Sequence, residues 1–346
     1  MPNPQNEKKF SNVKNLSQRS DFSDFICTFA ENQVIDMLLN QNVSRNLFLI
    51  AILLFGHAGI FSSCSSDDNS ASEPGTAPVT WPDGVMPGCF SVNANGGQVK
   101  FSQGNLQYRA STNTWRFAQH QYDMVGDAAT GNVYENGVKS NNGAIGSGYD
   151  GWIDLFGWGT GSTPTLSVTD SQQYLTYHEW GNNTIQNSYI AGWCTLTSDE
   201  YVYLVHGRAN AAALFGLGSV NGVNGIILLP DNWSTPAGLS FTASTTRGLE
   251  WNGTSYFNEQ EDNFTHNTYT EAEWAQMEAA GAVFQPAAGY REGTQVFSVG
   301  RVIDYWLATQ DGATASGVSG SKKHLHPHSF GDLYYGDCVR LVKDTK

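Results

Sequence analysis

The chain has 346 residues, with 18 Lys plus Arg against 32 Asp plus Glu and a formal net charge of -14. That balance excludes nucleic acid and anionic lipid surfaces as electrostatic partners. Only 14% of residues are charged while Gly (37), Tyr (15) and Trp (10) are abundant, which excludes a fold of long helices and points to a loop-rich β or α+β fold with aromatic cores.

The polar stretch 1–36 shows weak periodicity and is expected to be a misassigned or disordered extension, with Met37 as the true start. Residues 47–61 form a 15-residue apolar run preceded by Arg45. Such a run is short for a membrane span, which needs roughly 20 residues, and suits the h-region of a signal peptide over 37–63. Ser62-Ser63-Cys64 closes it, and Ser65-Ser66-Asp67-Asp68 follows. This arrangement resembles a bacterial lipobox followed by the acidic export tag of Bacteroidetes surface lipoproteins, with Phe61 where Leu is usual. The resemblance implies lipidation at Cys64, an outer-membrane location and exposure at the cell surface. A short transmembrane anchor is the competing reading. Residues 64–87 are rich in Ser, Asp, Pro and Gly and read as a flexible tether.

From residue 88 the chain reads as one domain to 343. Phe90–Val92, Gln98–Ser102, Asn105–Tyr108 and Thr114–Phe117 are short alternating segments separated by turn residues, an antiparallel start. A long Gly/Asn-rich loop is expected over 126–150. The run Gly151–Thr160 (GWIDLFGWGT) reads as core packing, with stacking of its Trp rings on sugar as the alternative. Thr197 with Glu200, and Thr270 with Glu273, are capping boxes. They predict one helix running to about Ala213, with Tyr201, Leu204 and Val205 on its inner face, and a second through Trp274 and Met277 to about Gly281. Val223–Leu229 is an apolar strand stopped by Pro230, and Asp231-Asn232 reads as a turn rather than a calcium ligand pair. Ala282–Pro286 is a short strand and Gln295–Gly300 a hairpin. The closing stretch holds an aromatic strand, Asp304–Thr309, a polar loop, Gln310–Lys323, and a strand, Cys338–Val342, with Val339 and Leu341 on one face and Arg340 on the other. Trp306 is expected in the core.

Six of these motifs, Phe101–Tyr108, Gly151–Thr160, Thr195–Glu200, Leu228–Trp233, Pro286–Arg291 and Val339–Val342, together resemble a paralogous group of Bacteroidetes surface lipoproteins. That group is similar to the Fibrobacter succinogenes major paralogous domain and, more distantly, to formylglycine-generating enzymes and C-type lectins. The resemblance implies an α+β, C-type lectin-like fold of twisted antiparallel sheets with two helices and long loops, in which the first and last strands meet. The group's YWSS is Tyr305–Ala308 (YWLA) here. The enzyme's C-terminal cysteine pair is reduced to Cys338, so that activity is not carried over. The calcium triplets of true C-type lectins are absent from the sequence.

No zinc or thioredoxin spacing is formed by Cys27, Cys64, Cys89, Cys194 and Cys338, though one disulfide among the last three is open. His324, His326 and His328 would share one face of a strand and suit a transition metal. Pro327 argues against a regular strand, so they are read as exposed loop histidines with no metal, and no cofactor is expected. Glu259, Glu261 and Asp262 read as a solvated loop rather than glycosidase carboxylates. There is no G-x-S-x-G elbow and no P-loop. The palette of residues 310–337, rich in Ser, Gly, His, Tyr and Asp, resembles that of binding surfaces. The expectation is a non-catalytic surface module that meets an extracellular glycan or protein through His324, His326, His328, Asp332, Tyr334 and Tyr335. It would touch membrane only by its lipid, with a divergent enzyme or a fimbria-like structural component as alternatives.

Overall fold

The computed structural model describes residues 81–135, 138–165, 176–244, 263–312, 314–322 and 325–345. The leader, Cys64, His324 and the Glu259–Asp262 loop lie outside them. Within them the protein is α+β, with several sheets and two short helices. Val85 bridges Ser102 and Met86 is fully buried, so the chain is already packed ahead of Gly88.

The antiparallel start forms as its alternation demands. β1 (Phe90–Ser91) pairs with β2 (Gln98–Phe101), and β3 (Leu106–Arg109) with β4 (Thr114–Phe117). In β2 and β4 every second residue is buried. The loop that follows carries only the small hairpin of β5 (Tyr134–Glu135) and β6 (Val138–Lys139). It is tied down by Asp154, which accepts from Val125 N and Asn142 Nδ2 at 3.0 and 2.8 Å and whose burial pushes its pKa up to about 6. Then come β7 (Trp152–Ile153), which pairs with β3, and β8 (Leu155–Gly157). Trp152, Ile153, Leu155, Phe156 and Trp158 are all buried, so the aromatic run is core. Trp158 Nε1 donates to Leu307 O at 2.8 Å, giving its buried N–H a partner.

Both capping boxes are formed. After β9 (Trp193–Cys194), Thr197 and Glu200 cap α1 (Ser198–Val202) reciprocally. The helix does not run to Ala213. It widens into a π turn over Tyr203–Gly207, and Arg208 follows in extended backbone. Arg208 leaves the helical path because its guanidinium is drawn inward, donating to Leu204 O at 2.6 Å and to Asp231 at 3.0 Å. Asp231 also accepts from Ser91 N, Ser91 Oγ and Gln98 Nε2, so its carboxylate clamps the first strands to the turn after the central sheet. That sheet runs β12 (Thr268–Tyr269), β10 (Phe215–Val220), β11 (Val223–Leu228), β13 (Val283–Pro286). Between β12 and β13 lies α2 (Glu271–Ala279), capped by Thr270 and Glu273 and buried through Trp274 and Met277. It stops at Gly281, whose φ of +99° needs glycine and whose Cα side packs on Gly88.

The C-terminal quarter is a seven-stranded sheet. Its path is β15 (Gln295–Phe297), β14 (Tyr290–Glu292), β19 (Gly336–Cys338), β16 (Ile303–Asp311), β17 (Thr314–Gly320), β18 (Leu325–Asp332), with β8 also on β19. The expected polar loop after Thr309 is thus largely strand β17, and the His-rich run is strand β18. Small residues hid the strand: a Cβ on Gly331 would come 3.3 Å from the Trp306 indole, and one on Gly317 would come 3.1 Å from Tyr305 O with the indole in contact at 3.7 Å. The closing strand is shorter and later than expected. β19 ends at Cys338, the chain bends through Val339–Leu341, and β20 (Val342–Asp344) pairs with β2 and β9. The last strand therefore meets the second strand, β2, rather than the first, which lies on the far side of β2. Val339 and Leu341 share one core cluster, while Arg340 is buried elsewhere, donating to Phe284 O and Gln121 Oε1 at 3.2 and 2.7 Å. Burial lowers its pKa to about 10. Trp306 is 2% exposed and donates to Phe156 O at 2.7 Å, a core residue as expected. Cys89, Cys194 and Cys338 are all free thiols, so the open disulfide is not formed.

Candidate binding face

The candidate residues sit on a strand and a turn of the seven-stranded sheet, not in a loop. In β18, Leu325 and Pro327 are buried while His326 and His328 are half-buried, so alternation puts the two histidines on the face away from the main core. Pro327 does not break the strand because β18 ends the order of strands, and a proline is tolerated where no ladder N–H is required. The ladder opposite is irregular between Gly317 and Ser319. The expectation of freely exposed loop histidines is thus corrected. Burial lowers the His326 pKa, and the His328 ring rests 4.6 Å from that of Phe330. Among the described residues no three His, Cys, Asp or Glu side chains converge to hold a metal ion.

The second candidate group sits at the turn after β18. Tyr335 N donates to Asp332 O at 3.1 Å and closes the turn, and the Tyr334 and Tyr335 rings are 4.8 Å apart. Burial first, and a hydrogen bond to Asp332 next, raise the Tyr334 pKa. Tyr335 meets Tyr290 edge-on at 5.7 Å, and Tyr290 stacks on Phe297 at 5.5 Å. Four half-buried rings thus run from the turn across β14 to β15.

Between the aromatic group and the histidines lies a row of side chains that the sequence reading passed over. Tyr305 pairs in parallel with Cys338, so Asp304 and Asp337, each one residue earlier, lie side by side on neighbouring strands. Such strands are about 5 Å apart. Asp304 is opposite Ser319, whose hydroxyl hydrogen-bonds its carboxyl, and Ser319 is opposite His326. On the other side, the Arg291–Gly336 register sets Tyr290 against Asp337. The row therefore reads Tyr290, Asp337, Asp304, Ser319, His326 across five adjoining strands. Tyr305 and Cys338 point the opposite way, into the main core.

Burial governs the chemistry of this row. It pushes the Asp304 pKa up to about 7. Burial first, and the neighbouring Asp304 second, raise Asp337 well above the carboxylate range, with Arg291 pulling back. The Arg291 guanidinium is fully buried beneath the sheet and lies over Gly336, where a Cβ would sit 2.8 Å from its Nε. It donates to Leu155 O and Gly293 O at 3.3 and 2.6 Å. Tyr290 is pushed up to about 12, by burial first and then by Tyr335, Asp304, Glu292 and Asp337. The arrangement offers hydroxyl donors, carboxyl groups that carry protons near neutrality, and flat aromatic edges. Asp304, Ser319, Tyr290 and Asp337 were missed because a sequence shows no cross-strand register. The usable signal was an acid flanked by large apolar residues in Ile303-Asp304-Tyr305 and, more weakly, in Gly336-Asp337-Cys338.

No family model, no curated protein and no solved structure matches this chain.

Proposed function

We propose that the protein is a non-catalytic, lipid-anchored cell-surface module, lectin-like in architecture, that binds an extracellular glycan or protein on the face formed by β14, β19, β16, β17 and β18. The observation that carries this reading is the row from Tyr334, Tyr335 and Tyr290 through Asp337 and Asp304 to Ser319, His326 and His328, half-buried except at the buried Asp337. Tyrosine supplies rigid contact area with a polar tip, and carboxyl and hydroxyl groups supply directed hydrogen bonds. The groups stand on strands, which hold them in fixed relation better than loops do. The lipobox-like Cys64 and the acidic residues after it support the surface location, and the meeting of β2 with β20 is consistent with the lectin-like architecture.

The enzyme reading loses weight on the state of Cys338. It is fully buried, and burial raises its pKa well above that of a free thiol, so little thiolate forms. The test is a glycan array probed with the chain from Cys64 onward, unlipidated, beside the Tyr334→Ala/Tyr335→Ala double variant. The reading expects a glycan signal that the variant loses, or cell adhesion that it reduces. Absence of glycan binding together with unchanged adhesion of the variant removes it.

A further inference from the structure

We propose that Asp304 and Asp337 form a proton-held latch that fixes the Tyr334–Tyr335 turn to the sheet and lets it open when the pair ionises. The geometry is that of a fork. β19 is joined to β14 at one register pair, Arg291–Gly336, and to β16 at one, Tyr305–Cys338. Its firmer partner is β8, on three successive pairs. The two carboxyl groups stand at the point where the fork divides, Asp337 directly after the turn that carries the tyrosines and Asp304 beside it on β16.

Two carboxylates side by side and largely shielded from water repel each other, and the cheapest relief is to keep a proton between them. With one proton the pair is a donor and an acceptor and draws the strands together. With none it pushes β16 from β19 where a single register pair resists. The groups that face the pair offset its charge only in part, through Arg291. From β14 these are Tyr290, Glu292 and Arg291, the last directed to Leu155 O and Gly293 O. From the turn come Tyr335 and Asp332, from β17 Ser319, and from β18 the half-buried His326. Beneath lie Cys338 and Asp154. Arg291 is the one cation among them, and Glu292, Asp332 and Asp154 add negative charge. In balance, opening releases one proton to solvent and breaks no covalent bond.

The sign follows from linkage. The closed state holds its proton more tightly than an open, hydrated pair, so opening is favoured by rising pH between the open and closed pKa values. The test is hydrogen exchange on the full-length chain, with each rate divided by its intrinsic pH-dependent rate. Opening of segments 288–292 and 331–337 should grow with pH from roughly pH 5, at least tenfold per pH unit, and should go on growing above about pH 7, where Asp337 still holds the last proton. Segment 223–228 in β11, away from the pair, should not follow. In Asp304→Asn/Asp337→Asn the slope should vanish. A wild-type slope in 331–337 no steeper than in 223–228 overturns the latch, even if the variant fails to fold, and so does a double variant with the wild-type slope. The consequence for ligand binding rests on the proposed function. A protein whose latch titrates as described but which binds nothing on the array would keep the latch and lose the binding face.

Discussion

Asp304 is the residue on which the behaviour of the C-terminal sheet turns. Its folded pKa of about 7 stands above the unfolded value of about 3.9. A raised carboxyl pKa means that the ionised form is disfavoured in the fold. The penalty is complete above about pH 7 and gone below about pH 4, so stability rises as pH falls through that window. His326 works the other way, since burial lowers its pKa and its protonation costs stability on acidification. Comparing variants cancels that opposing contribution. Asp304→Asn should raise stability at pH 8 by about 1 kcal/mol, allowing for the part of the side chain that water still screens, and the gain should shrink towards zero at pH 5. Urea denaturation at both pH values measures it, and a gain equal at both would contradict the assignment. Gly336 makes a second prediction. A Cβ there meets Arg291 Nε at 2.8 Å and Nη2 at 2.9 Å, with the guanidinium fully buried. Gly336→Ala should cost about 1–3 kcal/mol. Neither residue was singled out from sequence, because the pairing that gives each its surroundings spans over thirty and over forty positions along the chain.

At the scale of elements, local signals were read correctly and distant ones were not. The two capping boxes are chemistry within four residues, and both helices begin where Thr197 and Thr270 say. Thr270→Ala should lower stability by about 1 kcal/mol in thermal melts, since it strips Glu273 N of its partner. The end of α1 was not legible, because Arg208 is pulled away by Asp231, twenty-three positions on. β17 was hidden by its composition: the Ala, Ser and Gly of Thr314–Gly320 have little strand propensity, and Gly317 packs against Trp306. Trp306 thus sets the fit of three strands at once. Trp306→Ala should cost about 3–5 kcal/mol and expose the sheet to proteolysis at 314–332.

At the scale of the molecule, the last quarter of the described residues closes back on the early strands, β20 pairing with β2. That closure makes the scaffold of Val342 and leaves the preceding residues, from Tyr290 to Asp337, to form one face. Trp306 was read correctly as core, and the tyrosines of the turn are half-buried. The histidines were misjudged as loop residues, and the carboxyl pair at the centre was not seen. The central claim is that this face binds. It is tested most directly by a glycan array probed with the unlipidated chain from Cys64 onward and with Tyr334→Ala/Tyr335→Ala, folding of both first matched by circular dichroism. The account predicts a glycan signal that the variant loses, or reduced cell adhesion by the variant. No glycan signal from the wild type, with adhesion unchanged in the variant, would contradict it.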